Sequence, residues 1–377
     1  MSQMHKKSTF FTPLRLLRII GKTAVLFFLC NIVFALTTPQ EQLGRLTLYN
    51  WLLTGRDRLP YGEQTANSYN LSLNNLPAMF ASHMIHQQKK ADEFRIILLG
   101  DSATWGWLLD NPDTLAGQLN QLVRPRADGR IPTVYNLGYP IMSLSKDLLI
   151  LDEAKRHQPD MIIWLVSLES MALEQQTVHP VVQNNTHRLE PLVTAYNLPL
   201  ELKTAELTAP TFWEQTIVGQ RRPLADLIRL QSYGFAWSST GIDQTIPHEI
   251  TLRQSDLAAD TRWQQFSTPQ DLTINDLAFE ILEAGINHAA ETEVIIINEP
   301  IYRSDGANSD IRYNSFYPRW AYDQYRELLT SHAAERGWRY IDLWDAIPAD
   351  QFTDTPLHLT PNGTKQLAIE INQQIFE

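Results

Sequence analysis

Five apolar runs, at 95–99, 132–136, 161–166, 293–298 and 338–342, alternate with helical patterns near 113–123, 144–157, 274–290, 320–336 and 362–376. Strands separated by helices must cross over to pair in parallel, so the alternation predicts an α/β fold with a central parallel sheet and helices on both faces. Sheets of this kind bind their ligands in the crevice outside the carboxyl ends of the strands. The 377-residue chain is 44% apolar and can bury a core of that size, and its 21 prolines point to many loops. There is no internal repeat and no low-complexity tract. With 31 basic against 42 acidic residues the net charge is −11, which argues against a nucleic-acid partner.

The first apolar run ends in Gly100-Asp101-Ser102-Ala103-Thr104-Trp105-Gly106. A serine just past a strand, at a helix start, has free backbone N–H groups beside it for a developing oxyanion. Asp101 and Ser102 would serve equally well as helix caps. The second half of the pattern lies near the C-terminus, in Phe352-Thr353-Asp354-Thr355-Pro356-Leu357-His358-Leu359-Thr360-Pro361-Asn362-Gly363. Serine is a weak nucleophile that needs a base, and the base needs an orienting carboxylate. A loop histidine alone is most often a surface residue. Beside an acid, in a chain with the serine motif, His358 becomes the candidate base and Asp354 its partner.

These motifs resemble those of the SGNH/GDSL hydrolase superfamily, mostly esterases, lipases and carbohydrate acyl-esterases. The resemblance covers about 95–170 and 275–377. It implies a three-layer α/β/α flavodoxin-like sandwich, with Ser102 as nucleophile and His358 and Asp354 completing the triad. The family's second block donates a backbone N–H to the oxyanion, and Tyr135-Asn136-Leu137-Gly138-Tyr139-Pro140 assigns that role to Gly138 beside Ser102 itself. No cofactor is implied.

Two departures stand out. The family's third block reads Gly-x-Asn-Asp, and its Asn completes the oxyanion hole. Here the run 161–166 leads into Ser167-Leu168-Glu169-Ser170, so Glu169 occupies the Asn position. A carboxylate cannot donate unless protonated, and losing one oxyanion donor costs about 10²–10³ in kcat. Asn298, ending the run 294–297, is a candidate replacement or simply the start of a loop. The family also has its Asp three residues before the His, whereas Asp354 lies four before His358, with Pro356 available to form a bulge.

The N-terminus carries Lys6, Lys7, Arg15, Arg18 and Lys22 before the apolar run 23–37, which holds the only cysteine, Cys30. A basic flank before an apolar run places the N-terminus in the cytoplasm and the remainder outside. The run is short of the roughly 20 residues that span a bilayer, but Ile19 and Ile20 with a snorkelling Lys22 extend it. Residues 1–38 are therefore read as a basic tail and signal anchor, with a cleaved signal peptide as the alternative. Residues 39–94 read as a stalk and helical connector, and 95–377 as the hydrolase domain.

An insertion at 171–273 separates the third and fourth strands and contains Trp213, Trp237 and Trp263. A loop of that length is usually functional. A substrate cap and a decorating subdomain against the stalk or a partner both fit. Trp105, Glu169, Tyr313 and Arg319 are the candidate substrate contacts, although packing explains such aromatics equally. His83-x-x-His86 lacks a third metal ligand nearby, and there is no Gly-rich phosphate loop. The reading is thus a membrane-anchored, extracytoplasmic esterase for a small-molecule, lipid or envelope-glycan ester. An O-acyltransferase with the same site, or a non-catalytic glycan- or partner-binding protein, is the alternative. Oligomeric state is not readable from the sequence.

Overall fold

The computed structural model describes residues 13–62, 71–201, 210–242, 246–247 and 249–377. Lys6 and Lys7, and the remaining parts of the expected stalk and insertion, lie outside the described residues. Five strands, β1 (Glu93–Leu99), β2 (Ile131–Asn136), β3 (Met161–Val166), β4 (Glu293–Asn298) and β5 (Arg339–Asp342), form one parallel sheet in the order β2-β1-β3-β4-β5. All five coincide with the apolar runs. The pairings Leu98–Asn136, Leu99–Trp164, Val166–Asn298 and Asn298–Asp342 bring the carboxyl ends to one edge. In this order the chain reverses direction across the sheet between β1 and β3, where α/β sheets open their crevice.

Helices α1 (Pro13–Thr37), α2 (Gln40–Gly44) and α3 (Leu76–Ser82) precede the sheet. The short α4 (Ser102–Trp105) and α5 (Leu115–Leu122) follow β1, and α6 (Leu144–Ala154) follows β2. Between β3 and β4 come α7 (Gln175–Val178), α8 (Pro180–Asn184), α9 (Thr186–Tyr196), α10 (Arg221–Thr240) and α11 (Phe279–Ala289). The fold closes with α12 (Arg319–Arg336) before β5 and α13 (Pro361–Ile375) after it.

Successive strand residues face opposite sides, and the two cores follow from that. Ile97, Leu99, Ile162, Trp164 and Ile296 pack toward α6, α11 and α12, while Ile96, Leu98, Ile163, Ile295 and Ile297 pack toward α5 and α13. The sandwich therefore has three layers.

The described residues of 39–94 pack on the domain rather than standing free of it. Leu59, Leu71, Leu73, Phe80 and Ile85 are buried in the larger core, a burial that their irregular spacing does not announce. Buried Arg58 donates from Nη1 to Gly106 O (2.9 Å) and Leu109 O (3.0 Å) and lies over the Trp105 ring. The connector thus braces the segment that carries the serine.

The excursion between β3 and β4 has two destinations. The α10 helix packs on the connector: Gln231 bonds Leu48 N and Leu46 O, and Ser238 Oγ donates to Thr54 O. Gly234 permits this approach, because a Cβ there would stand 1.9 Å from the Tyr49 ring. Residues 262–264, in contrast, reach the carboxyl edge of the sheet. The excursion therefore combines the decorating arrangement with a wall of the cleft.

Candidate active site

β1 stops at Leu99 because Gly100 adopts φ +154°, and a Cβ there would meet Thr104 Oγ1 at 2.3 Å. Asp101 then caps α4, its Oδ1 accepting from Ala103 N at 2.8 Å. Ser102 follows at the first helical position, partly exposed at the sheet edge. The carbonyl of Gly100 accepts from Tyr139 N (3.0 Å) and from the fully buried Lys146 Nζ (2.8 Å), which also donates to Tyr139 O (2.7 Å). One ammonium thus joins the loop before Ser102 to the turn after β2.

That ammonium pairs with Asp147 at 2.8 Å, and the same carboxylate accepts from Trp164 Nε1 at 3.1 Å. Burial pushes the Asp147 carboxyl up to about 6 despite Lys146. Burial, together with the charge of Asp101, holds the carboxyl of neighbouring Glu299 well above the usual range. The floor beneath the serine is therefore an ion pair beside a carboxyl whose ionisation is opposed by burial and by a neighbouring charge.

His358 reaches Ser102 from the loop before α13. Its Nε2 lies 2.8 Å from Ser102 Oγ, and its Nδ1 lies 2.8 Å from Asp354 Oδ1. The four-residue spacing is absorbed by a turn: Thr353 N donates to His358 O (2.8 Å), and His358 N donates to Thr355 Oγ1 (3.1 Å). Burial alone would raise the Asp354 carboxyl. The bond to His358, the imidazole charge and the Thr353 hydroxyl outweigh it and hold Asp354 below its ordinary value. The Trp107 ring stacks on the imidazole, centroids 5.8 Å apart.

The other expected site residues are placed differently. Gly138 does not present its N–H to the cleft, because that group donates to Asn136 Oδ1 at 3.1 Å. The glycine is required for close packing instead, since a Cβ would lie 2.6 Å from Trp105 N. Asn298 cannot be the oxyanion donor either. Its Nδ2 is spent on Asp342 Oδ1 (2.9 Å), and its Oδ1 accepts from Tyr325 OH (3.1 Å).

Trp105 is fully buried, with Nε1 donating to Leu59 O (2.8 Å), so it is core rather than a substrate contact. Tyr313 is buried and bonds Asp323 (2.7 Å), while Arg319 lies over the Tyr313 ring and bonds Ser309 O (2.6 Å). Both brace α12. His83 is a turn cap, its ring bonding Ile85 N and Asp57 O. Among the described residues no His, Cys, Asp and Glu group could hold a metal ion.

Glu169 does face a cleft. The cleft holds about 410 Å³, lined by Ile141 and Met142 after β2, Glu169 after β3, Trp263 and Gln264 from the excursion, and Phe316 before α12. Gln264 Nε2 bonds Glu169 Oε1 at 2.6 Å, and Gln175 Nε2 does so at 3.4 Å. Burial with only neutral donors pushes the Glu169 carboxyl up. Sequence reasoning missed Ile141, which lines this cleft. The signal at Ile141 is a non-glycine backbone at φ +71° in the turn after β2.

No protein-family model matches the chain, and no curated protein does. Among solved structures, a lipase/acylhydrolase from Enterococcus faecalis is similar at 16% identity and TM-score 0.38, over 74% of this chain and 94% of that one. A member of the lipolytic protein G-D-S-L family from Veillonella parvula is similar at 12% identity and TM-score 0.34, over 75% and 97%. A carbohydrate acetylesterase from Sinorhizobium meliloti is similar at 11% identity and TM-score 0.34, over 75% and 98%.

Proposed function

We propose that this chain is a serine esterase of the SGNH type that cleaves an O-acyl ester. The observation that carries the reading is the continuous hydrogen-bonded line from Ser102 Oγ through His358 to Asp354, with 2.8 Å at both links. Ser102 Oγ attacks the acyl carbonyl while His358 Nε2 takes its proton. The tetrahedral intermediate collapses as the imidazolium returns that proton to the leaving alcohol. A water activated by the same Nε2 then releases the acid from the acyl-serine. Asp354 keeps the proton on Nδ1 and stabilises the imidazolium.

Oxyanion stabilisation is assigned to the Ser102 N–H, with the turn after β2 supplying a second donor. Glu169, whose carboxyl burial pushes up, lines the neighbouring cleft and is assigned as a substrate contact.

The apolar α1, 25 residues long, is long and apolar enough to cross a membrane. We assign it as an anchor, with Arg15 and Arg18 on the cytoplasmic side, Lys22 snorkelling towards it, and the catalytic domain outside. The substrate is then an ester of the envelope, on a lipid or a glycan. The test is hydrolysis of p-nitrophenyl acetate and longer esters by the full chain in detergent micelles. Turnover that disappears in Ser102→Ala supports the reading. Equal rates in the two proteins, or no turnover from folded wild type with any ester, would refute it.

A further inference from the structure

We propose that the turn at residues 211–220 is a second membrane contact, seated in the outer leaflet of the lipid bilayer beside α1. The proposal rests on α1 being a spanning anchor, and its strength comes from where the turn meets that helix. Val218 N donates to the Asn31 side-chain oxygen at 3.2 Å, and Asn31 and Ala35 are the buried residues of α1. The turn is therefore packed against the helix about six residues before its end at Thr37, which is about 9 Å below that end at 1.5 Å per residue.

A hydrocarbon core about 30 Å thick takes about 20 helical residues. Counted back from Thr37, these reach the basic residue Arg18, beyond which lies Arg15. Residue 31 then lies inside the outer leaflet, and whatever packs against it there must tolerate lipid.

The turn is built for that level. Phe212, Trp213 and Val218 are 42%, 68% and 51% exposed, an apolar tip that nothing in the fold covers among the described residues. Several of its polar groups pair within the turn. Gln215 N donates to Thr211 O, Gln220 N to Thr216 O, Thr216 Oγ1 to Trp213 O and Gln220 Nε2 to Glu214 O. The one acid, Glu214, folds back to accept from Thr211 N (2.7 Å) and Thr211 Oγ1 (2.8 Å). Backbone groups paired internally are the condition for entering a bilayer's apolar layer. Tryptophan is the residue enriched at its interface. Exposed Arg221 and Arg222 open α10 immediately after the tip, where guanidinium groups can reach lipid phosphates.

The experiment uses the full chain in vesicles of phosphatidylcholine and phosphatidylglycerol, on a Cys30→Ser background. An environment-sensitive fluorophore is attached to a single cysteine at Trp213→Cys, at Val218→Cys as a second tip position, at Phe27→Cys in α1, or at Gln121→Cys in α5 across the sheet. The proposal expects blue-shifted emission quenched by doxyl-labelled lipids at the tip and at position 27, with neither effect at 121. Quenching at 27 but none at 213 and 218 would overturn the tip contact and leave the anchor standing. Blue-shifted but unquenched emission at the tip would mean that a second copy or another protein covers it, which also overturns the proposal. No quenching at 27 would remove the anchor itself and the proposal with it.

Discussion

Replacing Lys146 by methionine tests whether the buried ammonium organises the serine's surroundings. Its Nζ holds the carbonyls of Gly100 and Tyr139 and balances Asp147 with no exposure to solvent. Removing one partner of a buried ion pair costs about 3–5 kcal/mol, because the other charge is stranded. At roughly 2 °C per kcal/mol for a chain of this size, the melting temperature should fall by about 6–10 °C at pH 7.5. The pH dependence sharpens the test. The Asp147 carboxyl stands at about 6 in the fold against an ordinary 3.8. Between those values the folded state holds a proton that the unfolded state has released, so stability falls as pH rises through the window. The loss is about 3 kcal/mol. Asp147→Asn should flatten that slope, and Lys146→Met should extend it to higher pH. Fluorescence-monitored melting of the full chain from pH 4 to 8 reads both effects, and kinetics on a p-nitrophenyl ester reads the third. Because the two carbonyls flank the catalytic loops, kcat should fall about 100-fold with KM little changed. A Lys146→Met protein that melts within about 1 kcal/mol of wild type and keeps its kcat would refute the reasoning.

Three further expectations follow from the site and its supports. Asp354→Ala should lower kcat by roughly 10⁴ and Ser102→Ala by roughly 10⁶, measured with the same ester; a smaller loss for Ser102→Ala than for Asp354→Ala would reverse the roles assigned to them. If the protonated Glu169 carboxyl donates to the bound substrate, activity should fall as pH rises through its upward-shifted ionisation. Glu169→Gln should abolish that limb, and an unchanged pH–rate profile in the variant would exclude the donor role. Gly234→Ala, a change that ordinarily stabilises a helix by about 1 kcal/mol, should instead destabilise by about 1–3 kcal/mol as its methyl meets the Tyr49 ring. A raised melting temperature in Gly234→Ala would show that the ring yields freely.

The strands and the long helices were legible because apolar periodicity records which face each residue must bury. Ser102, His358 and Asp354 were legible as types in a pattern, and the fold places them within hydrogen-bond reach of one another. What the pattern did not carry is direction and prior commitment. Asn298 has the right chemistry and stands at the right edge, but β5 and α12 supply partners that consume its amide. Trp105 and Trp107 are two residues apart, yet one is sealed beneath Arg58 and the other lies on His358. Burial of the connector was illegible for a related reason: its apolar residues are irregularly spaced, and their partners lie far along the chain.

That separation has a kinetic consequence. Tyr49 and Leu48 meet their α10 partners across 183 residues of sequence between Leu48 and Gln231. The segment synthesised first among the folded residues is therefore among the last to be completed. Contacts of such long range close slowly. If export begins at α1, the connector crosses the membrane well before α10 exists and must wait with Tyr49 uncovered. During that interval the nascent chain, rather than the finished protein, is the form most exposed to proteolysis and aggregation.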